Sequence, residues 1–437
     1  MSGSTGGCRE IALIPLPIVI AIDNLQDFCD PFYPHPHPPT PPSEIQPLPV
    51  IKRNLTAPLL DLTRHYPVVT VTGPRQSGKT TLCRTVFPDR PYVSLEGMDT
   101  RTYAREDPRG FLREYRHGAV IDEVQRAPDL TSYLQEVVDE DPQPGRFVLT
   151  GSQHFGLSQA VSQSLAGRVG VLYLLPPGLD ELARFEAPPR DLLEVLWTGA
   201  YPRIHDRRIP PHVWLRDYFA TYVERDVRSL RNVTNLEAFS AFVRTTAGRT
   251  ASEVSLSALA SDVGVRHNTI RAWLTVLEAS FLVFRLPAYR SNVRKRQIKA
   301  PKLHLLDSGL ACHLLGIRSA EELRHHPLRG AVFESWVTSE VFKAVTHRGE
   351  QPRLRHYRAA GTEVDLVVEQ GTRLVLAEAK AGSTITPRFF GGIGRLAGEL
   401  EGAGLAVAKR LVYGGDQRQS RGGTEVVPWR RLLEVVW

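Results

Sequence analysis

From about residue 51 to 187 the apolar positions follow two alternating patterns. Short, β-branched runs at Val68–Thr72, Tyr92–Leu95, Ala119–Ile121, Phe147–Thr150 and Val171–Leu175 read as strands. They are apolar on both sides of the pleat, so both faces of their sheet should be covered. Helical stretches such as Lys79–Val86 and Leu130–Val138 lie between them. The alternation predicts an α/β layer with a parallel five-stranded sheet. From about 188 to 325 the pattern is mostly helical. Leu256–Gly264 and Asn268–Leu274 read as helix, glycine turn, helix, with Ala260, Val263, Ile270, Leu274 and Leu277 on the core face. The apolar strand Phe281–Leu286 follows as a wing, so this stretch predicts a winged-helix region. From 326 to 437 strands and helices mix again, with a helix over Gly330–Thr346. The expected parts are therefore 1–50, 51–187, 188–325 and 326–437.

The first of these parts differs in composition. Pro31–Pro49 is dense in proline and contains a Pro-His-Pro-His-Pro-Pro run, which predicts an extended or disordered extension. Its only apolar run, Ile11–Ile22, is broken by Pro15 and Pro17 and falls short of the roughly 20 residues that span a bilayer. No membrane association is expected. The four cysteines are scattered, which fits neither a zinc site nor a disulfide framework and points to the cytoplasm. The net charge is +7, and residues 203–302 hold 18 Lys+Arg against 8 Asp+Glu. That local excess makes an anionic partner such as nucleic acid a specific expectation for the middle of the chain.

The chemistry concentrates at Gly73-Pro74-Arg75-Gln76-Ser77-Gly78-Lys79-Thr80, a full G-x-x-x-x-G-K-[ST] match placed after a strand and before a helix. Backbone N–H groups of such a loop wrap phosphates, and the helix N-terminus favours negative charge. Lys79 would reach the β- and γ-phosphates, Thr80 would give its hydroxyl to Mg²⁺, and Thr81 closes the motif. About 40 residues on, the strand Ala119–Ile121 ends in Asp122 and Glu123. Asp122 suits the Mg²⁺ site and Glu123 can polarise the attacking water. The next strand leads to Ser152 and Gln153, either of which could meet the γ-phosphate or the water; a simple turn is the other reading. Arg168 could be an arginine finger, a phosphate sensor or a surface arginine.

These segments, together with Leu165-Ala-Gly-Arg168 and Tyr222-Val-Glu-Arg-Asp226, resemble a group of prokaryotic AAA-type ATPases. The resemblance covers residue 51 to about 430. It implies ATP and Mg²⁺ as cofactors, and a C-terminal domain of unknown function after a winged helix.

Two further patterns bear on partners. Arg266, His267, Asn268 and Arg271 would face a DNA groove, and Arg290, Arg294, Lys295, Arg296, Lys299 and Lys302 form a basic segment with no acid from Ala279 to Leu306. In the C-terminal part, a two-residue Gly371-Thr372 turn would set Asp365 opposite Glu378 and Glu363 opposite Lys380. Facing acids need a positive group between them, which a divalent metal would supply. An acid followed by Glu-x-Lys, with Glu334 on a nearby helix, is similar to the restriction-endonuclease-like core. Glu334, Asp365 and Glu378 are then candidate metal ligands, with Lys380 as fourth member of a nuclease site. The proline that often precedes the first acid is missing. The function expected from these readings is a Mg-dependent ATPase that works on nucleic acid as a switch or motor, with an oligomer as one open arrangement. The alternatives are a nucleotide-gated protein-binding switch with an inactive C-terminal domain, and a toxin–antitoxin or mobile-element role.

Overall fold

The structure, a computed structural model, describes residues 50–152, 165–222, 235–290, 300–359 and 361–437. The proline-rich extension expected over 1–50 lies outside the described residues but for Val50, as do Gln153, Glu224–Asp226 and Arg294–Lys299. Among the described residues no helix is long and apolar enough to cross a membrane.

The first sheet contains β1 (Val68–Gly73), β2 (Tyr92–Ser94), β3 (Ala119–Asp122), β4 (Phe147–Ser152) and β5 (Val169–Tyr173) in the order β2-β3-β4-β1-β5. Every pairing is parallel. β1, β3 and β4 are buried along their whole length, as their unbroken apolar runs require. The fifth strand runs two residues earlier than the pattern predicts, because Val169 is the residue that pairs with Val68. Its edge position leaves Val171 and Tyr173 exposed. The order places the carboxyl ends of β1 and β3 on one rim, where ligands of open α/β sheets bind.

Residues 201–314 share a separate core of Trp214, Phe239, Phe242, Ile270, Trp273, Leu274 and Leu277. Helices Leu256–Val263 and His267–Ala279 meet at Gly264, whose φ of 74° is left-handed and suits glycine. Beside them β6 (Ser252–Glu253), β7 (Val283–Leu286) and β8 (Lys302–Leu305) form an antiparallel sheet of order β6-β8-β7.

The last part is a mixed sheet of β9 (Leu354–Ala359), β10 (Thr362–Gln370), β11 (Arg373–Lys380), β12 (Ala406–Tyr413), β13 (Gln419–Arg421) and β14 (Thr424–Pro428), in the order β13-β14-β12-β11-β10-β9. Helix Arg329–His347 covers one face through Val332, Phe333, Trp336 and Val341, and helix Gly391–Gly402 covers the other through Ile393, Leu396 and Leu400. Leu192, Leu196 and Ile317, from the preceding part of the chain, pack into the first of these cores. The described residues accordingly belong to one compact unit.

Candidate functional site

The loop after β1 turns at two positions that suit glycine. Gly73 has φ 146°, and a Cβ there would lie 2.2 Å from the Leu174 carbonyl oxygen. Gly78 has φ 95° and leads directly into helix Lys79–Val86. Ser77 is fully buried and its hydroxyl donates to the Pro74 carbonyl at 3.0 Å. The Lys79 ammonium donates to the carbonyls of Gly73 (3.1 Å) and Pro74 (2.7 Å) across the mouth of the loop. Burial pushes its pKa down to about 8, although Glu123 and Asp122 pull it upward. This geometry fits a phosphate cradle.

Asp122 stands at the end of β3 with its carboxylate fully engaged. It accepts from the Thr80 hydroxyl at 2.9 Å, from the Tyr92 hydroxyl at 2.6 Å and from the Thr150 hydroxyl. Burial, and then Asp122 itself, raise the Tyr92 phenol above its ordinary value, so it stays a donor. Thr80 and Asp122 thus meet where the sequence predicts a Mg²⁺ site. Glu123 follows with φ 58°, a left-handed backbone unusual for a non-glycine residue. Gln125 donates to the Glu123 carboxylate and, at 3.1 Å, to the Ser152 hydroxyl. Gln125, to which the sequence reading gave no role, orients the candidate base from two positions further on.

The cleft over this loop has a volume of about 760 Å³, enough for a nucleotide. Arg75, Gln76, Thr81 and Glu123 line one side. The opposite wall comes from the helical part and includes Arg203, Arg207 and Tyr218. Neither arginine stands out in the sequence, because nothing there shows that helix Pro202–Asp206 folds back over the loop.

Arg168 is elsewhere. It precedes β5 at the amino end of the sheet, where its carbonyl accepts from Val68 N–H, and its guanidinium pairs with Asp139 on the surface. β1 separates it from the phosphate loop of its own chain, so the phosphate-sensor reading is corrected. Gln153 lies outside the described residues; Ser152 is at the rim and contacts Gln125.

Residues 65–183 match the family described as "AAA domain". With the loop geometry, this defines the region as an AAA-type P-loop ATPase domain. Residues 189–321 match "Domain of unknown function (DUF8612)" and 329–432 match "Domain of unknown function (DUF4143)". Uncharacterized proteins of Mycobacterium bovis and Mycobacterium tuberculosis are each 29% identical over 436 residues, covering 97% of this chain and 96% of the relative. A Walker-type ATPase of Pyrococcus abyssi is similar with a TM-score of 0.42 and 13% identity, over 61% of this chain and 96% of that one.

The C-terminal acids are brought together, and two lysines stand among them. The turn register is the expected one, Gln370 pairing with Arg373 and Leu366 with Ala377. Ladder pairing ends there. Asp365 instead accepts from the Ala379 N–H at 3.0 Å, next to an irregularity between Val364 and Val367. Lys302, which the charge pattern groups with a DNA-facing segment, is buried in β8 and points into the cluster. Its ammonium lies 2.8 Å from Glu334, 2.9 Å from Glu363 and 3.4 Å from Asp365. Lys380 lies 2.6 Å from Glu378 and 3.7 Å from Asp365. Glu363 therefore pairs with Lys302 and not with Lys380. Among the described residues no three His, Cys, Asp or Glu side chains converge on a metal position. Lys302 and Lys380 supply compensating charge among Glu334, Asp365 and Glu378, the three acids expected as metal ligands. Four carboxylates still share two ammonium groups. Burial, and then the Asp365 charge, raise Glu334 to about 8 and Glu378 to about 7.

The lowered Lys79 pKa has a measurable consequence. Phosphate beside the ammonium restores its proton, so ATP binding at about pH 9 should take up on the order of one proton, and close to none at about pH 6.5. Calorimetry in buffers of different ionisation enthalpy reads this directly. A Lys79→Arg chain should show no uptake at either pH, since arginine stays charged. Equal uptake at both pH values in the parent chain would assign the proton to another group.

Proposed function

We propose that this chain binds ATP·Mg at Gly73–Thr81, hydrolyses it, and uses the cycle as a switch acting with nucleic acid. The observation that carries the first part is the contact of Thr80 with Asp122 at 2.9 Å, one residue before a base held by Gln125. Thr80 and Asp122 would hold Mg²⁺, which when bound neutralises charge on the phosphate oxygens. Lys79 and the loop N–H groups hold the phosphates, and Arg203 and Arg207 close the cleft from the other side. Glu123 takes the proton of the attacking water, and Gln125 keeps its carboxylate aimed.

Support for nucleic acid comes from the middle of the chain. Helix Leu236–Gly248, β6, the two helices joined at Gly264, then β7 and β8 run in the order of a winged helix. Arg266, His267, Asn268 and Arg271 are exposed at the start of helix His267–Ala279. Phosphate release measured with and without duplex DNA tests both parts together. Mg-dependent release that DNA stimulates is the expected result. DNA binding should weaken with salt, and replacing Arg294, Lys295 and Arg296 by alanine should flatten the log–log slope by about 2–3, at roughly 0.9 per phosphate contact. A slope unchanged by the triple substitution would remove the segment 290–302 from the interface.

A second reading is a nucleotide-gated protein-binding switch. It is favoured by the two lysines seated among the C-terminal acids, which already supply charge compensation within that cluster. ATP hydrolysis with no response to DNA or RNA would select it.

A further inference from the structure

A buried polar seam joins the phosphate loop to the C-terminal helix. Arg53, 6% exposed, donates to the Ser77 carbonyl at 2.8 Å, to the Leu175 carbonyl at 2.8 Å and to Glu181 at 2.9 Å. Ser77 is the residue before Gly78 and Lys79, so the guanidinium braces the loop from behind. Glu181, fully buried, also accepts from the N–H groups of Asn54 (2.6 Å) and Gly178 (2.9 Å). Its fourth partner is His347, the last residue of helix Arg329–His347 and 1% exposed, with Nδ1 at 3.2 Å. The other ring nitrogen, Nε2, accepts the Leu175 N–H at 3.1 Å. The two bonds together assign the tautomer with the proton on Nδ1. Burial alone would raise the Glu181 carboxyl; the His347 hydrogen bond and the Arg53 charge overcome that and hold it below the ordinary carboxylate range.

The segment between the two ends is also in contact with both. Leu174 presents the carbonyl that packs against Gly73, and Leu179 N–H donates to Glu340 of the long helix at 2.6 Å. Lys343 pairs with Glu340 at 2.8 Å and donates to the Pro177 carbonyl at 3.3 Å. The same helix carries Glu334 at its other end, on Lys302. Arg53, Ser77, Glu181, Glu340, Lys343 and His347 are all buried and partnered, and a buried polar group that loses its partner is strongly penalised. A displacement of the Ser77 carbonyl cannot be absorbed by solvent; it must be followed by Arg53, Glu181 and His347.

We propose that Arg53 is a positioning residue for the phosphate loop, and that helix Arg329–His347 sets it through His347 and Glu181. Nucleotide occupancy and the packing of the helix end are then coupled in both directions. The inference rests on the reading of Gly73–Thr81 as an ATP site.

The experiment uses the full chain. Amide hydrogen exchange is followed with and without a non-hydrolysable ATP analogue and Mg²⁺, and ATP turnover is measured for the parent and for His347→Phe. Bound nucleotide is expected to slow exchange at residues 340–347 as well as in the loop. His347→Phe should abolish the distant response and weaken ATP binding about 10-fold, seen as a raised KM with kcat held. A conservative Glu181→Gln chain, which keeps the shape of the seam and loses its charge, should show the same pattern more weakly. If nucleotide slows exchange only around residues 73–81 in the parent chain, the coupling is refuted, and this measurement decides the matter even if His347→Phe does not fold. Wild-type KM in a folded His347→Phe chain refutes it as well. Absence of nucleotide binding by the parent chain would instead bring down the ATP-site reading, and this inference with it.

Discussion

Glu123→Gln is expected to bind ATP·Mg about as tightly as the parent chain and to turn it over about 10²–10³-fold more slowly, within the range contributed by a positioned general base. The substitution keeps the size and hydrogen-bonding reach of the side chain and removes only the ability to take a proton. The Mg²⁺ position survives it, since Thr80 and Asp122 are held by each other, Tyr92 and Thr150 and not by Glu123. The contact with Gln125 survives as well, because the glutamine oxygen still accepts from the Gln125 amide. Fluorescent-nucleotide binding and single-turnover phosphate release separate the two effects. Turnover at the parent rate would mean that another group activates the water. The left-handed backbone of Glu123, φ 58°, strengthens the expectation: such a conformation is retained where the fold imposes it, and here it turns the chain sharply at the rim where β3 ends.

Lys302→Met should destabilise the chain by about 3–5 kcal/mol near neutral pH, the usual penalty for stranding a buried charge. Methionine fills a similar volume, so little of the loss comes from packing. What is lost is the one ammonium shared by Glu334, Glu363 and Asp365, leaving four carboxylates to Lys380. The loss should shrink as the pH falls. Glu334 and Glu378 already have folded-state pKa values raised to about 8 and about 7, above the ordinary 4.5. Between 4.5 and those values the folded chain binds more protons than the unfolded one, so stability rises as pH falls through this window. Without Lys302 the carboxyls are raised further and the dependence steepens. Urea unfolding at several pH values from about 8 to about 5 measures it. A variant as stable as the parent at neutral pH would show that Lys302 is not the compensating charge.

The two sites differ in how much of them can be read from the sequence. The nucleotide site is nearly complete there because its members are local. Gly73 to Thr81 is one loop and one helix turn, and Asp122 and Glu123 end a strand whose place in the sheet follows from its apolar run. Strand alternation then brings the two segments to the same rim. Gln125 could have been found on the same ground, being two residues from the base. Arg203 and Arg207 could not, since their place over the cleft depends on how a later helix packs. Arg168 lies away from the phosphate loop of its own chain for a complementary reason: it immediately precedes β5, and the start of a parallel strand is at the opposite end of the sheet from the loop.

The C-terminal cluster shows the limit more sharply. Hairpin register is a local property, so the turn at Gly371-Thr372 and the pairing from Leu366 inward follow from alternation and turn chemistry. What neutralises the acids is not local. Lys302 comes from a strand more than 60 residues before Asp365, in a sheet belonging to a different core. Read along the chain it sits in a run of basic residues, and a basic run reads as surface. Only packing turned it inward, because the carboxylates of Glu334, Glu363 and Asp365 converge where the end of β8 passes, and a buried charge is placed by its partners. The same holds for Arg53, Glu181 and His347, which carry no motif. Periodicity and short-range spacing encode the five-stranded sheet, its phosphate loop and its acidic strand end. Tertiary structure alone decided which distant charges compensate one another, because that depends on which buried surfaces meet.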